Sequence, residues 1–354
     1  LTTTCLHAQL CPQDQSSALL RFKKDFSFNK SFSSWCDFRG IASYPKLESW
    51  KEGSDCCSWD GVECDRETAS VIDLDLSCSW LHGTIHPNSS TLLFSTSPHL
   101  QRLNLAFNNF SNSPISSVFS RFTRLTHLNL SQSSFSGKIS SEISSLSKLT
   151  SLDLSGNDGL RLKNPGFQLL VQNLTQLREL HLDHVNISSV IPNSLLNLTS
   201  LTSLSLVSCG LKGKFPDNIF HLPNLNKLIL WQNFDLTGYF PKFNSSSPLQ
   251  YLDLGSTNFS GELPNSIGNM KSLNVLYVDN CKFSGSIPAS FGNLTQITTL
   301  YLVGNAFNGS IAAVIPNLRN LVHLSLGRGN NFSDPLVPLV ANLTQLVSLR
   351  MSST

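Results

Sequence analysis

The chain has 354 residues, of which 40% are hydrophobic and only 14% are charged. This composition is too apolar for a disordered chain, and the length is sufficient for a large buried core. Lysine and arginine together number 25 against 23 acidic residues, so the formal net charge is +2. We expect no nucleic-acid partner, because binding to a polyphosphate requires a basic surplus. The sequence contains no run of about 18 apolar residues, which predicts that this chain has no membrane span.

The first residues, Leu1–Ala8, have the character of the end of a secretory signal peptide. The basic start and most of the apolar region of such a peptide would lie upstream of them. We therefore expect segment 1–8 to be a signal-peptide remnant, which is removed in the mature protein together with Cys5.

Segment 9–70 is predicted to form a cysteine-rich N-terminal cap. Seven of the nine cysteines fall in the first 78 residues, namely Cys5, Cys11, Cys36, Cys56, Cys57, Cys64 and Cys78. Such clustering indicates either a disulfide framework or a metal site. The spacings lack the paired C-x2-C pattern typical of zinc sites, which favours disulfides over a metal.

A helix is predicted after Ser16 or Ser17, where the apolar residues have helical spacing. Its apolar face comprises Ala18, Leu19, Phe22 and Phe26. A repeat array would expose its first leucines to water, so an amphipathic element must cover them. We expect this helix to do so, together with Trp50 and Trp59.

Region 71–345 consists of a repeated pattern. The motif L-x-x-L-x-L begins at Leu100, Leu125, Leu149, Leu177, Leu201, Leu225, Leu249, Leu273, Ile297, Leu321 and Leu346, after a degenerate copy at Val71. Six consecutive intervals between Leu177 and Leu321 are each 24 residues long. This fixed period indicates a solenoid of about eleven coils, whose neighbours bury a continuous core.

Each coil is predicted to contain a strand, a turn and a helical return. In the copy Leu249–Ser272 the period-two alternation directs Leu252 and Leu254 inward and the residues beside them outward. The motif F-S-G-x-[IL]-P supplies a buried aromatic residue, a glycine for the turn and a proline for extended backbone. The last third of the coil is expected to return along the convex side as a short helical turn.

A polar side chain follows the second leucine of several coils by three residues. Asparagine occupies this position at Asn108, Asn157, Asn233 and Asn305, and cysteine does so at Cys209 and Cys281. We expect the asparagines to bond backbone groups and to stack as a ladder along the solenoid. The two cysteines lie three coils apart, about 14 Å, and are expected to be buried thiols that cannot pair with each other.

Segment 346–354 begins a twelfth coil that the chain does not complete. Leu346, Leu349 and Met351 would have no following coil to cover them. We therefore expect the chain to be part of a longer polypeptide.

The full repeat, L-x-x-L-x-L-x-x-N-x-[FL]-x-G-x-[IL]-P, resembles the plant extracellular type of leucine-rich repeat. Tyr44-Pro45, Ser49-Trp50 and the run D-C-C-S-W-D-G-V-E-C-D at 55–65 resemble the N-terminal cap of plant leucine-rich-repeat receptors. The run V-I-D-L-D-L-S-C-S at 71–79 is similar to the Cf class of tomato leaf-mould resistance receptor-like proteins.

This resemblance implies an α/β repeat fold, a leucine-rich-repeat solenoid with a parallel concave β-sheet and a disulfide-stapled cap. It also implies the bridges Cys11–Cys56 and Cys57–Cys64, which leave Cys36–Cys78 as the third.

Thirteen N-x-[ST] sequons predict a glycoprotein of the secretory pathway. They lie at Asn29, Asn88, Asn109, Asn129, Asn173, Asn186, Asn197, Asn244, Asn258, Asn293, Asn308, Asn331 and Asn342. A glycan at Asn129, at an outward strand position, would obstruct the concave face of the early repeats and direct ligand binding to later ones.

The sequence contains no H-E-x-x-H, G-x-x-x-x-G-K-[ST] or G-x-S-x-G motif, so we expect neither enzymatic activity nor a cofactor. His181, Asp183 and His184 form one cluster that could hold a metal, since the first two share the outward side of a strand. The alternative, which we favour, is a polar patch on a recognition surface. Asp73 and Asp75 lie close to the cap, and we expect them to be solvated rather than to form an open cleft.

The outward strand positions are where a solenoid usually binds its ligand, because they are exposed on a rigid scaffold. The expected ligand-binding residues are His181, Asp183, Trp231, Tyr251, Asp253, Tyr277, Asp279 and Tyr301. Exposed tryptophan and tyrosine are enriched at binding hot spots. The alternative is that the tyrosines merely fit the pleat of the sheet.

The resemblance implies a non-enzymatic recognition module, the N-terminal part of an ectodomain that senses a pathogen-derived or apoplastic ligand in immunity. The implied partners are a protein or peptide ligand, microbial in origin, and receptor kinases contacted through a C-terminal part. The implied location is the apoplastic side of the plasma membrane, or the apoplast if the chain is secreted. The alternative is a secreted inhibitor resembling polygalacturonase-inhibiting proteins. Those carry a cysteine-bearing C-terminal cap, whereas no cysteine follows Cys281.

Overall fold

The computed structural model describes residues 10–85 and 96–351. The expected signal-peptide remnant, with Cys5, and the sequon at Asn88 lie outside the described residues. The chain divides into two compact units, the first ending at Leu177 and the second beginning at Arg178. This boundary falls within the repeat array, and the predicted divisions at 9–70, 71–345 and 346–354 stay predictions.

The first unit combines the cap with the early repeats. Its described helices are α1 (Gln13–Lys23), α2 (Ser34–Phe38) and α3 (Gly166–Asn173). Its described strands are β1 (Phe26–Phe28), β2 (Val62–Cys64), β3 (Val71–Asp75), β4 (Leu81–Gly83), β5 (Arg102–Asn104), β6 (His127–Asn129), β7 (Ser136–Lys138), β8 (Ser151–Asp153) and β9 (Gly159–Arg161). Short 3-10 helices cover Lys30–Ser33, Lys46–Ser49, Cys56–Ser58, Ser117–Arg121 and Ser141–Ser145.

Helix α1 forms with the expected apolar face, but its bounds differ from the prediction. It begins at Gln13, directly after Pro12, rather than after Ser16 or Ser17. Pro12 is the N-cap in an extended conformation, with a ψ of 134°, and its carbonyl accepts from the N–H groups of Gln15 and Ser16 at 3.0 Å. Ala18, Leu19 and Phe22 are buried. The expectation for Phe26 was wrong: the helix ends at Lys23, and Phe26 opens strand β1 instead.

Three disulfides hold the cap, and they are the bridges that the resemblance implies. Cys11–Cys56 and Cys57–Cys64 each have a Cα–Cα distance of 5.5 Å, and Cys36–Cys78 has 6.1 Å. The indole rings of Trp50 and Trp59 are buried and stack at 5.4 Å. Strand β2 of the cap pairs antiparallel with β3, the first strand of the repeats.

The strands of the early repeats form a parallel sheet. Strands β3, β5, β6 and β8 pair in this order with the same register, so that their central leucines are partners. Strands β1 and β4 form an antiparallel pair, and β7 and β9 form a parallel pair on the other side of the turns.

The second unit contains the regular repeats. Its described strands are β10 (Glu179–His181), β11 (Ser203–Ser205), β12 (Lys212–Lys214), β13 (Lys227–Ile229), β14 (Asp235–Gly238), β15 (Tyr251–Asp253), β16 (Asn258–Gly261), β17 (Val275–Tyr277), β18 (Lys282–Ser286), β19 (Thr299–Tyr301), β20 (Ala306–Gly309), β21 (His323–Ser325), β22 (Asn331–Phe332) and β23 (Ser348–Arg350). Helix α4 covers Leu336–Val340, and 3-10 helices cover Asn193–Asn197, Asp217–His221, Asn265–Asn269, Ala289–Asn293 and Ile315–Asn317. These short helices confirm the predicted helical return.

The main sheet of the second unit is parallel, in the order β10-β11-β13-β15-β17-β19-β21-β23. Its register repeats from strand to strand, so that one buried row runs through Leu180, Leu204, Leu228, Leu252, Leu276, Leu300 and Leu324. Because each strand buries the residue at its centre, the two flanking residues face outward. The parallel concave sheet predicted from the repeat is thereby confirmed.

A second parallel sheet was not predicted from the sequence. It has the order β12-β14-β16-β18-β20-β22 and is built by the F-S-G segments. Phe259 and Phe283 are fully buried beneath it. Gly261 and Gly285 have φ angles of +85° and +76°, a left-handed conformation that glycine adopts without strain.

The asparagine ladder is confirmed. The side-chain amide of Asn233 donates to the carbonyls of Leu206 and Leu230 at 2.8 and 2.7 Å. Its carbonyl oxygen accepts from the N–H groups of Cys209 and Leu211. The asparagines at 108, 157 and 305 bond the backbone in the same manner, and Ser133, Thr257 and Asn330 extend the ladder at positions that were not predicted.

Candidate functional site

The outward positions of the main sheet in the second unit form two rows that cross the strands. Ile229, Asp253, Tyr277 and Tyr301 are register partners in one row. Lys227, Tyr251, Val275 and Thr299 are partners in the other. Since neighbouring strands lie about 4.8 Å apart, side chains of one row are in van der Waals reach of each other.

The three tyrosines form a continuous aromatic row, defined by Tyr251, Tyr277 and Tyr301. The rings of Tyr251 and Tyr277 lie 6.0 Å apart, and those of Tyr277 and Tyr301 meet edge to face at 4.8 Å. The Lys227 ammonium lies 5.6 Å from the Tyr251 ring centre, within cation–π range. The sequence-predicted tyrosines are therefore brought together in the structure.

Trp231 lies beside the aromatic row, two residues beyond the end of β13, and is 37% exposed. It approaches Gly255, whose own outward position carries no side chain. A Cβ atom at Gly255 would lie 3.0 Å from Trp231 Cδ1, 2.9 Å from Asp279 Oδ1 and 3.2 Å from Asp253 Oδ1. Trp231, Asp253 and Asp279 therefore already fill the space beside Gly255, and a side chain at this position would press against them.

The electrostatics of this face follow from partial burial. Burial raises the pKa of Asp253 to about 7, and the nearby Asp279 carboxylate adds to this, although the Gly255 N–H donates to Asp253 at 2.9 Å. Burial also raises the pKa of Asp279, which accepts a hydrogen bond from the Asn280 amide. For Tyr251, burial and the Asp253 charge raise the pKa to about 12. The face therefore holds carboxylates that are costly to ionise.

His181 and Asp183 lie on the same sheet but apart from the aromatic row. In the strand order, β10 is three strands before β15, which is about 14 Å. His181 Nε2 lies 2.8 Å from Ser203 Oγ. The Asp183 carboxylate accepts hydrogen bonds from the Ser205 hydroxyl and the Val207 N–H. The part of His181 and Asp183 in ligand binding stays a prediction.

The candidate metal cluster does not assemble in the described ranges 10–85 and 96–351. The group there whose potential ligand atoms lie within 4.8 Å of one another is Cys11, Cys56 and Cys57. All three cysteines are in disulfides. His184, with a φ of +65°, sits in the turn after the strand instead of beside His181.

Asp73 and Asp75 differ from the expectation, because both are paired rather than solvated. Arg102 donates to Asp73 at 2.6 Å and to Glu63 at 2.9 Å. Burial raises the pKa of Asp73 despite this partner. For Asp75, burial is outweighed by the hydrogen bonds of Ser77 and the charge of Lys46, so its pKa is lowered. These residues also line an open depression of about 250 Å³ with Asn104 and His127, a cleft that the sequence analysis excluded.

The two cysteines outside the cap are buried thiols, as expected. Cys209 Sγ donates to the Leu182 carbonyl and Cys281 Sγ to the Leu254 carbonyl, each at 3.1 Å. Burial raises the pKa of Cys209 and that of Cys281, the latter to about 11. Both thiols are therefore structural members of the ladder, with little thiolate character.

The sequon asparagines differ in accessibility. Nine are exposed: Asn29, Asn173, Asn186, Asn197, Asn244, Asn293, Asn308, Asn331 and Asn342. Asn109, Asn129 and Asn258 are half-buried. Asn129 accepts hydrogen bonds from the backbone and hydroxyl of Ser131 at the end of β6, on the outward face. Glycosylation of the sequons stays a prediction.

Gly255 and Lys227 are the residues of this face that sequence reasoning missed. The sequence did contain a signal for Gly255. The neighbouring coils have Trp231 and Asp279 at the equivalent outward position, whereas this coil has glycine.

The described helices include none that is long and apolar enough to cross a bilayer.

Models of the leucine-rich repeat match three parts of the chain. The leucine-rich-repeat N-terminal domain matches residues 12–42 and 38–65, the leucine-rich repeat matches 98–158, and the leucine-rich-repeat region matches 238–354. The chain is a leucine-rich-repeat protein.

The chain is similar to curated plant receptor-like proteins. The leucine-rich-repeat chain is 43% identical to Receptor-like protein 6 of Arabidopsis thaliana over 285 residues, which cover 78% of this chain and 28% of the relative. It is 47% identical to Receptor-like protein Cf-9 of Solanum pimpinellifolium over 270 residues, 75% of this chain and 31% of the relative. The expected similarity to the Cf class is thus confirmed, and the chain spans about a third of the length of these relatives.

A solved structure with the same fold is that of PEPR1-AtPEP1. It superimposes with a TM-score of 0.67 at 24% sequence identity, and the match covers 97% of this chain and 48% of that one. At this identity the likeness supports the leucine-rich-repeat fold alone.

Proposed function

We propose that this leucine-rich-repeat chain is the ligand-recognition part of a plant receptor-like protein that binds a protein or peptide. The aromatic row of Tyr251, Tyr277 and Tyr301 carries the proposal. Tyr277 and Tyr301 are register partners, and Tyr251 lies diagonally beside Tyr277, all on the outward face of a sheet whose opposite face is the leucine core.

The outward face has the properties of a recognition surface. Each strand is fixed by a buried leucine, so the side chains that point outward are held before a ligand arrives. Tyrosine has few rotatable bonds and offers both an apolar ring and a hydroxyl, so it loses little entropy on binding. A water-facing ring adds little to folding, which supports a binding role over one in packing alone.

The relatives support a more specific proposal about the location, the ligand class and the partners of the protein. We infer a non-enzymatic module on the apoplastic side of the plasma membrane, which senses a microbial or apoplastic ligand in immunity and acts through partner receptor kinases. The similarity to Receptor-like protein Cf-9 supports this inference. The cap disulfides and the exposed sequons also fit an extracellular, oxidising compartment.

A differential capture experiment tests the proposal. The wild-type chain, the double variant Tyr277→Ala/Tyr301→Ala and the control His127→Ala are immobilised in parallel. Size-fractionated apoplastic fluid and fungal culture filtrates are then passed over each surface. His127 is an exposed outward residue of β6 in the first unit. His127→Ala therefore removes a side chain from an outward strand position that lies outside the aromatic row.

The proposal expects at least one fraction that binds wild type and His127→Ala equally but the double variant at least tenfold more weakly. Equal retention of every fraction by all three proteins would place recognition elsewhere and contradict the proposal.

A further inference from the structure

A depression in the first unit combines three cations with apolar surface. It lies beside the parallel pair β7 and β9 and the start of helix α3, and its volume is about 560 Å³. Lys138, Arg161 and Lys163 supply the positive charge, and Ile139 and Leu169 supply the apolar surface. We call this depression the basic pocket. A volume of this order is typical of sites for small organic ligands.

The two strands place like charges side by side. Lys138 and Arg161 are register partners, and neighbouring strands lie about 4.8 Å apart. Lys163 follows Arg161 by two residues, and the Leu162 between them is buried, so both cations lie on the exposed side. Like charges that face each other across neighbouring strands are unfavourable. The folded chain therefore bears an electrostatic cost that a bound anion would remove.

The three cations of the basic pocket have no acidic partner to offset this cost. None of them takes part in an ion pair among the residues that the structure describes. Glu142 and Asp158 are the acidic residues nearest to them along the chain, and neither lines the depression. The corresponding sheet of the second unit differs, because there Lys212 is the register partner of Asp235.

The start of helix α3 adds to the positive potential. Pro165 and Gly166 line the basic pocket where this helix begins. The first N–H groups of a helix carry partial positive charge and attract anions. The side chain of Leu169, in the first turn of the same helix, is 37% exposed and borders the same space. An apolar group attached to a bound anion would therefore cover Leu169.

These features favour an organic anion over a free inorganic ion. Exposed charges gain little from an ion pair in water, since solvent and salt screen them. Covering apolar surface contributes in proportion to the area that is removed from water. An anion with an apolar body gains from both sources, whereas inorganic phosphate gains from the first alone.

We propose that the basic pocket binds a small organic oxyanion, a carboxylate or a phosphate ester carried on an apolar body. The oxyanion lies between Lys138 and Arg161, and the apolar body covers Leu169. A guanidinium group can hold two oxygen atoms at once, which suits both carboxylates and phosphates. This site goes beyond the proposed function, because it belongs to the first unit and the aromatic row belongs to the second.

Naphthyl probes test the basic pocket. Naphthoate carries a carboxylate, naphthyl phosphate carries a phosphate ester, and naphthamide is the neutral counterpart of naphthoate. Binding to the chain is followed by ligand-detected NMR titration and by the rise of the thermal midpoint. We expect saturable binding of the two anions and at least tenfold weaker binding of naphthamide and of inorganic phosphate. The anion that binds more tightly identifies the preferred oxyanion.

Two variants separate the charge from the apolar surface. Lys138→Glu places an acidic residue opposite Arg161, so it is expected to weaken naphthoate at least tenfold and to raise the thermal midpoint. Leu169→Ser is expected to fold, because Leu169 is exposed, and to weaken naphthoate at least threefold. Lys24→Glu is the matched control. It makes the same change of net charge beside Phe28, in a second basic depression on the cap, and is expected to leave binding unchanged.

Equal binding of naphthoate and naphthamide would overturn the proposal, as would undiminished binding by folded Lys138→Glu or by Leu169→Ser. An equal loss of binding in Lys24→Glu would assign the probes to the net charge or to the cap, and would overturn it as well. A lowered midpoint of Lys138→Glu would contradict the like-charge cost. The capture experiment is independent, because loss of retention by Tyr277→Ala/Tyr301→Ala supports the proposed function whether or not the basic pocket binds these probes.

Discussion

At the scale of the residue, the outward face is polar in sequence but only partly solvated in the structure. Asp253 is the clearest case, since its neighbours Tyr277 and Trp231 shield it and Asp279 adds a like charge. The sequence indicated which residues point outward, because alternation determines this. It could not indicate how deeply each lies among its neighbours, since that depends on the side chains of adjacent coils.

Replacement of Asp253 by asparagine is expected to change the pH dependence of stability. An unfolded aspartate has a pKa of about 3.9, whereas that of folded Asp253 is raised to about 7. Between these values the native state holds a proton that the unfolded state has lost, so stability falls as the pH rises. The free energy of unfolding of wild type, relative to Asp253→Asn, should therefore decrease from pH 4 to pH 7 and then level off. Urea denaturation at several pH values measures this difference.

Asp334→Asn is the matched control with the opposite sign. Hydrogen bonds from Ser310, Ile311 and Ala312 lower the pKa of Asp334, so its contribution is present above the unfolded pKa and is lost on acidification. A pH-independent difference for Asp253→Asn would show that its carboxyl is not buried as described.

Residues at the ladder position differ in how many backbone groups they bond, so their replacement should lower stability to different extents. Asn233→Ala leaves four backbone groups without their partner, and we expect a loss of about 3 kcal/mol in the free energy of unfolding. Thr257→Ala removes the hydroxyl bond to the Leu254 carbonyl and two longer contacts, with the Phe259 N–H and Cys281 Sγ, for which we expect about 1 kcal/mol. Urea denaturation of both variants provides the comparison. An equal loss of unfolding free energy in both variants would mean that water bonds the backbone groups that Asn233 bonds in the wild type, and would contradict this prediction.

At the scale of the element, the repeat consensus predicted the main sheet, the ladder and the helical return. The leucine alternation and the asparagine position are visible within each coil, although the sheet and ladder bonds that they predict join neighbouring coils. The second sheet depends on hydrogen bonds between F-S-G segments of neighbouring coils, which no single segment displays. The start of α1 was misplaced because Pro12 caps the helix, upstream of the serines that were expected to do so.

The cap bridges should differ in their contribution to stability. Cys36–Cys78 closes a sequence separation of 42 residues, and Cys57–Cys64 closes one of 7. In the chain-entropy model these loops correspond to about 4 and about 2 kcal/mol. We expect Cys36→Ser/Cys78→Ser to lower the free energy of unfolding more than Cys57→Ser/Cys64→Ser does. Denaturation under non-reducing conditions tests the order, and the reverse order would contradict the entropic account.

At the scale of the whole molecule, recognition is the function that the surface and the relatives support together. The sequence predicted that Trp231 and the three tyrosines lie in one neighbourhood, because a 24-residue period converts sequence spacing into strand spacing. His181 lies on β10, three strands before β15, and its part in recognition stays a prediction.

The most direct test of the recognition surface is the affinity of Tyr277→Ala for the component captured by the wild-type chain, measured together with its thermal midpoint. Tyr277 contacts both other rings of the aromatic row but lies outside the leucine core. We predict a loss of about 2 kcal/mol in binding, roughly thirtyfold in affinity, with a nearly unchanged midpoint. An unchanged affinity with a collapsed midpoint would show that the aromatic row is structural and would contradict the account.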